Sequence, residues 1–86
     1  MELQRFFEQA VANSKLLSSK PDNETLLKLY SLYKQATDGD VSADNEPSNP
    51  FDFVAKAKFN AWNELKGKTK EDAMQGYVDL VNQLRG

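Results

Sequence analysis

Thirteen residues, Asp38-Gly39-Asp40-Val41-Ser42-Ala43-Asp44-Asn45-Glu46-Pro47-Ser48-Asn49-Pro50, decide how this chain can fold. The stretch is polar, carries Gly39 and Pro47, and has no hydrophobic period, so it reads as a loop. Before it lies a helical pattern from about Asn23 to Thr37. Leu26, Leu27, Leu29, Tyr30, Leu32, Tyr33 and Ala36 make that helix apolar over a wide arc. After it, Asn49-Pro50 reads as an N-cap and an N1 proline, opening a helix from about Phe51 to Leu65 that stops at Gly67. The helix before the loop is roughly 22 Å long. The loop spans about 43 Å when extended. It can therefore run back along the bundle and start the next helix parallel to the previous one.

The other connections are short and favour antiparallel neighbours. A first helix, about Glu2 to Asn13, has Leu3, Phe6, Phe7, Ala10 and Val11 at helical spacing. Lys20-Pro21-Asp22-Asn23 separates it from the second. Thr69-Lys70-Glu71-Asp72 resembles a capping box with Asp in place of Glu. The fourth helix then sets Ala73, Met74, Tyr77, Val78, Val81 and Leu84 on its buried side. The expectation is all-α: an up-down-down-up four-helix bundle, one domain over residues 1–86.

Composition narrows the chemistry. With 86 residues and 40% hydrophobic content, the chain can build one small core. A stability on the order of 4–13 kcal/mol follows from its length. It has no cysteine and no histidine, which removes disulfides, thiolate and imidazole metal sites, and histidine-based triads. The formal charge is −2, from 11 basic and 13 acidic residues, without the basic excess of a nucleic-acid binder. The start, Met1 to Phe7, lacks the apolar run of a signal peptide, and no stretch approaches transmembrane length. A cytoplasmic protein is expected. Yet Lys56, Lys58, Lys66, Lys68 and Lys70 crowd one segment, where a small polyanion could bind.

Tyr30, Tyr33 and Lys34 stand at i, i+3 and i+4, on one helix face. They offer hydroxyls, aromatic surfaces and a positive charge together, which suits a phosphorylated ligand carrying a base. Tyrosines at this spacing also serve as plain core residues. Lys34 beside them argues for a cleft rim, since lysine is seldom buried unpaired. Phe53, Phe59 and Trp62 read as core, because a short chain needs their area. Lys66, Lys68 and Lys70 read as a solvated junction between helices, and Gly76 as an unexceptional helix glycine. Asp38-Gly39-Asp40 starts no EF-hand, since Ala43 and Asn49 occupy the places of its glycine and final glutamate. No GxxxxGK[ST] run and no acid–base pair stands out, so an enzyme reading has no positive support.

Several ordered segments together resemble the acyl-CoA-binding protein family: Phe7, Lys20-Pro21, YSLYKQATDGD from Tyr30 to Asp40, KAKFNAWNELKG from Lys56 to Gly67, and KEDAMQGYVDLV from Lys70 to Val81. The likeness covers nearly the whole chain and implies the same up-down-down-up fold. By that resemblance Tyr30, Tyr33 and Lys34 match ligand contacts on the second helix. Lys58 matches a phosphate-binding lysine, Tyr77 a tyrosine near the adenosine part, and Lys15 a further lysine near the nucleotide. Ser31 and Leu32 fall inside the same segment without an obvious polar role. Two departures stand out. Val54 takes a place where the family commonly has lysine, trading a charged contact for apolar lining. Phe59 replaces a tryptophan and keeps an aromatic core. The loop before Pro50 is slightly longer than is usual.

The resemblance implies a ligand with a phosphorylated head and an oily tail, a medium- to long-chain fatty acyl-CoA, bound without chemistry. Lys34 and Lys58 would grip the 3′-phosphate with help from Tyr30. Tyr33 and Tyr77 would meet the adenine. The tail would lie between helices against Leu26, Leu27 and Val54. No cofactor, catalytic residue or metal is expected, nor a nucleic-acid partner or stable membrane insertion. The expected state is a monomer in transient contact with enzymes that use acyl-CoA. The rival reading is a helical protein-interaction module without a small-molecule ligand.

Overall fold

In a computed structural model, which describes residues 2–85, the helices begin and end where backbone groups find substitute partners. The Asp22 carboxylate accepts from the Thr25 backbone N–H at 2.8 Å and opens α2, Asn23–Thr37. Hydrogen bonding to the Thr25 side chain, and then to its backbone N–H, holds the Asp22 carboxyl below its ordinary pKa. α2 ends at Thr37 with Asp38 as its C-cap, and Gly39 follows with φ +85°, a left-handed conformation that suits glycine. Thr69 opens α4, Lys70–Arg85, by accepting from the Asp72 N–H at 3.0 Å. α1 covers Glu2–Ser14, and Gly67, at φ +94°, turns the chain after α3.

The third helix starts later than the sequence suggests. α3 is Phe53–Asn63, and its N-cap is Asp52, whose carboxylate accepts from Ala55 N–H at 3.0 Å. Asn49 instead receives the Phe51 N–H at 2.9 Å, a local side-chain turn, and Pro50 sits in that turn rather than at the first helical position. A 3₁₀ turn at Ala43–Asn45 interrupts the long α2–α3 loop.

The pairings fix the direction of each helix. Lys58 lies over the Tyr30 ring and Lys34 over the Trp62 ring, so contacts advance together along α2 and α3 and the two run parallel. Against α4 the order reverses: Leu32 meets Gly76, while Gly39 lies beside Lys70. The result is the up-down-down-up bundle. Its core is Phe7, Ala10, Leu29, Ala36, Ala73, Met74, Tyr77 and Val81, contributed by α1, α2 and α4. α3 packs on α2 alone among the major helix pairs and buries only Trp62.

Two aromatic assignments need correction. Phe53 is 74% exposed, and Phe6 is 59% exposed. Phe53 lies in the first turn of α3, away from the Trp62 end that α2 covers. Phe6 lies about 100° around α1 from buried Phe7 and lines a surface hollow with Glu2, Arg5 and Gln9. Gly76 is also less ordinary than its sequence context suggests. A Cβ there would stand 3.2 Å from Leu32 Cδ2, so glycine permits close packing of α4 on α2.

Candidate functional site

The parallel pairing of α2 and α3, closed at one end by the long loop, creates a cleft of about 370 Å³. Tyr30 and Lys34 come from α2, Lys58, Phe59 and Trp62 from α3, and Asn45, Pro47, Ser48 and Asn49 from the loop. The helical spacing of residues 30 and 34 puts ring and ammonium in one wall. Lys58 Nζ stands 5.2 Å from the Tyr30 ring centroid, and Lys34 Nζ stands 5.1 Å from that of Trp62. Both cations thus rest on aromatic faces, which favour a positive charge. Asp52 also lines this cleft, but its carboxylate is engaged in capping α3.

A second hollow of about 370 Å³ adjoins the first through Tyr30 and Lys58, which line both. Its other walls are Asn23, Leu26, Leu27, Phe53, Val54 and Ala57. The three residues expected to line an acyl chain, Leu26, Leu27 and Val54, therefore share one largely apolar groove. It leads directly from Lys58, which lines both hollows. Exposed Phe53 and Val54 form its outer lip.

A buried polar network holds the cleft floor. The Trp62 Nε1–H donates to Gln35 Oε1 at 3.1 Å and to the Gly39 carbonyl at 2.9 Å. Gln35, fully buried, donates through Nε2 to Asp40 at 2.8 Å and to the Lys68 carbonyl at 2.7 Å. The Gly67 N–H also donates to Asp40 at 2.8 Å, and these bonds hold the Asp40 carboxyl below its usual range. One amide thus ties α2, the loop, α3 and the α3–α4 turn together. Sequence reading passed over Gln35, because its partners lie far along the chain and no local spacing reveals them.

The remaining expected residues occupy three other settings. Tyr33, 40% exposed, stacks on Phe7 at 5.9 Å between ring centroids. Tyr77 is buried behind it, edge-on to Phe7 at 5.3 Å, and its hydroxyl donates to Ser14 Oγ at 3.2 Å. The open aromatic surface is therefore that of Tyr33. Ser31 is buried and donates to the Lys28 carbonyl at 3.0 Å; with Leu32 it lines a further hollow, which shares Leu27 and Ala57 with the apolar groove. Lys15 is exposed just beyond α1 and lines neither of the two joined hollows.

Lys34 has one more partner. Its ammonium lies 2.7 Å from Asp38 Oδ2. That hydrogen bond raises the Lys34 pKa and lowers that of Asp38. Lys58 makes no ion pair among the described residues, so the two cations of the cleft are not equivalent.

A helical bundle with a cationic cleft opening into an apolar groove is the architecture of a carrier for an anion with an oily tail. A family model described as acyl CoA binding protein matches residues 4–81. An acyl-CoA-binding protein of Dictyostelium discoideum is 51% identical over 80 residues, covering 91% of this chain and 90% of that protein. Enoyl-CoA delta isomerase 2 of Rattus norvegicus is also 51% identical, over 81 residues; these are 94% of this chain but only 20% of the isomerase. The solved structure of Oryza sativa Acyl-CoA-Binding Protein 2 superposes with a TM-score of 0.87 at 41% identity, covering 95% of this chain and 89% of that one. The chain belongs to the acyl-CoA-binding protein family.

Proposed function

We propose that the protein binds medium- to long-chain fatty acyl-CoA esters one-to-one and leaves them chemically unchanged. It serves their transport, the buffering of their pool and the protection of the thioester. The observation that carries this reading is the shared wall of Tyr30 and Lys58 between the cationic cleft and the apolar groove. A ligand charged at one end and oily at the other can satisfy both at once. Lys34 and Lys58 make charge-assisted bonds to the 3′-phosphate of the CoA ribose, and the Tyr30 hydroxyl donates to the same group. Tyr33 offers its open ring to the adenine, with Tyr77 fixing its position from behind; base stacking of this kind contributes about 1–3 kcal/mol. Lys15 adds positive charge near the nucleotide. The acyl chain lies against Leu26, Leu27 and Val54, where each buried methylene contributes about 0.8 kcal/mol.

The segment shared with the isomerase is a fifth of that protein, so the likeness brings no isomerisation chemistry with it. Among the described residues no helix is long and apolar enough to cross a membrane. The protein acts as a cytoplasmic monomer that meets acyl-CoA-using enzymes transiently. Calorimetric titration with palmitoyl-CoA tests the reading: one-to-one binding at micromolar concentration or tighter is expected, with intact thioester recovered afterwards. No binding at those concentrations, or hydrolysis during the titration, would refute it. In a series of acyl lengths, two added carbons should strengthen binding about tenfold until the groove is full.

A further inference from the structure

Asp38 occupies an unexpected place for a residue near an anion site. It caps the C-terminal end of α2, where the helix macrodipole is negative and a carboxylate is disfavoured. Its ion pair with Lys34 runs in the weaker i, i+4 order, cation before anion. Helix stability therefore gives little reason for the carboxylate. Yet Asp38 holds Lys34, one of the two cations lining the cleft, at 2.7 Å. Asp38 is itself half exposed. A second cation lies within reach of its field: Lys70 helps to lower the Asp38 pKa, and its Cε lies 3.5 Å from where a Cβ on Gly39 would stand.

Building on the acyl-CoA reading, we infer that Asp38 is a built-in competitor of the ligand phosphate. It occupies Lys34 in the empty site and yields that lysine, turning toward Lys70, when the phosphorylated head enters. A carboxylate and a phosphate cannot both take the same ammonium without repelling each other. Asp38 thus lowers affinity for the phosphorylated head and leaves the apolar groove unaffected. It tunes the protein toward releasing its ligand as well as capturing it. Lys58, which has no such partner among the described residues, remains the permanently available cation.

The experiment compares wild type, Asp38→Asn, Lys34→Ala and the double variant by calorimetry, using palmitoyl-CoA and its 3′-dephospho form. Circular dichroism confirms that each is folded. At low salt Asp38→Asn should bind palmitoyl-CoA about two- to tenfold more tightly than wild type, the range for removing one rim charge beside an ion pair. The gain should shrink toward unity in 1 M salt, where charges are screened beyond about 3 Å. It should also shrink with the dephospho ligand and in the Lys34→Ala background. Should Asp38→Asn be disrupted, Asp38→Ser removes the same charge and carries the same expectation. Equal or weaker binding by the folded variants at low salt overturns the role of Asp38. So does an equal gain whether Lys34 is present or absent. Failure of wild type itself to bind palmitoyl-CoA overturns the acyl-CoA reading, and this inference with it.

Discussion

α4 buries four residues, whereas α3, of comparable prominence in the fold, buries one. The first belongs to a core shared by α1, α2 and α4; the second is attached to α2 through a tryptophan and an amide network. The two regions divide the work. α1 and α2 both pack on α4, and these three helices supply most of the apolar burial. α3 packs on α2 and leaves hollows beside it, and its exposed Phe53 and Val54 stay free to meet a ligand. A bundle whose helices all packed equally would be better buried and would have no room for a site. On an 86-residue chain the allocation matters, because total stability is only on the order of 4–13 kcal/mol.

The strongest way to break this comparison is to cut the attachment. Trp62→Ala removes the one buried side chain of α3 and both bonds from its indole N–H. The expected cost is about 3–5 kcal/mol in denaturant unfolding, as for other buried tryptophans. Hydrogen exchange separates the two regions: amides of α3 should lose protection first, while those of α1, α2 and α4 remain the slowest to exchange. Simultaneous loss over all four helices would mean that the division is geometric only, with no energetic counterpart.

A charge in the cleft sharpens the comparison from the other side. Lys34→Ala should weaken binding of palmitoyl-CoA by about 1.5–3 kcal/mol, the range for a hydrogen bond to a charged group. The loss should be smaller with the 3′-dephospho ligand. Stability should change little, since Lys34 is partly exposed and alanine is a good helix former. If stability falls as much as affinity, the cleft belongs to the structural half of the molecule after all.

The sequence reveals these two halves unequally. α2 and α4 were legible because their apolar residues recur at helical spacing, and Val81, Tyr77, Met74 and Ala73 lie where that period puts them. Topology followed from the loop's reach. The start of α3 did not follow, because Asn49-Pro50 and Asp52 both carry helix-opening chemistry within four positions; Asn49 closes a local turn and Asp52 caps the helix. Phe53 misled for a related reason: aromatic area is core on average, but a helix with a single covered face exposes what lies off it. Among the expected site residues, Tyr30, Lys34 and Lys58 gather in one cleft, and Leu26, Leu27 and Val54 in the next. Gln35 was hidden, because its partners stand 27 and 33 residues away. The Lys34–Asp38 pair stands at the ordinary i, i+4 spacing, but Asp38 falls past the apolar period, in the stretch that reads as loop.

The smallest expected effect tests how tightly the structural half is packed. Gly76 faces Leu32 across the α2–α4 contact, and a Cβ at 3.2 Å from Leu32 Cδ2 demands that something give. Two terms oppose each other in Gly76→Ala. Alanine in a helix interior gains about 0.5–1 kcal/mol over glycine. Crowding in a rigid core can cost more than that. Here the crowded atom is the end of a flexible side chain, and Leu32 is only half-buried, lining an open hollow of about 530 Å³ into which it can turn. The helix term should therefore win, and thermal unfolding should show a stabilisation of about 0.5 kcal/mol. A loss of 1 kcal/mol or more would mean that Leu32 cannot move. The α2–α4 seam would then be as closely fitted as the residues behind it, and the boundary between packed core and open site would lie nearer the cleft.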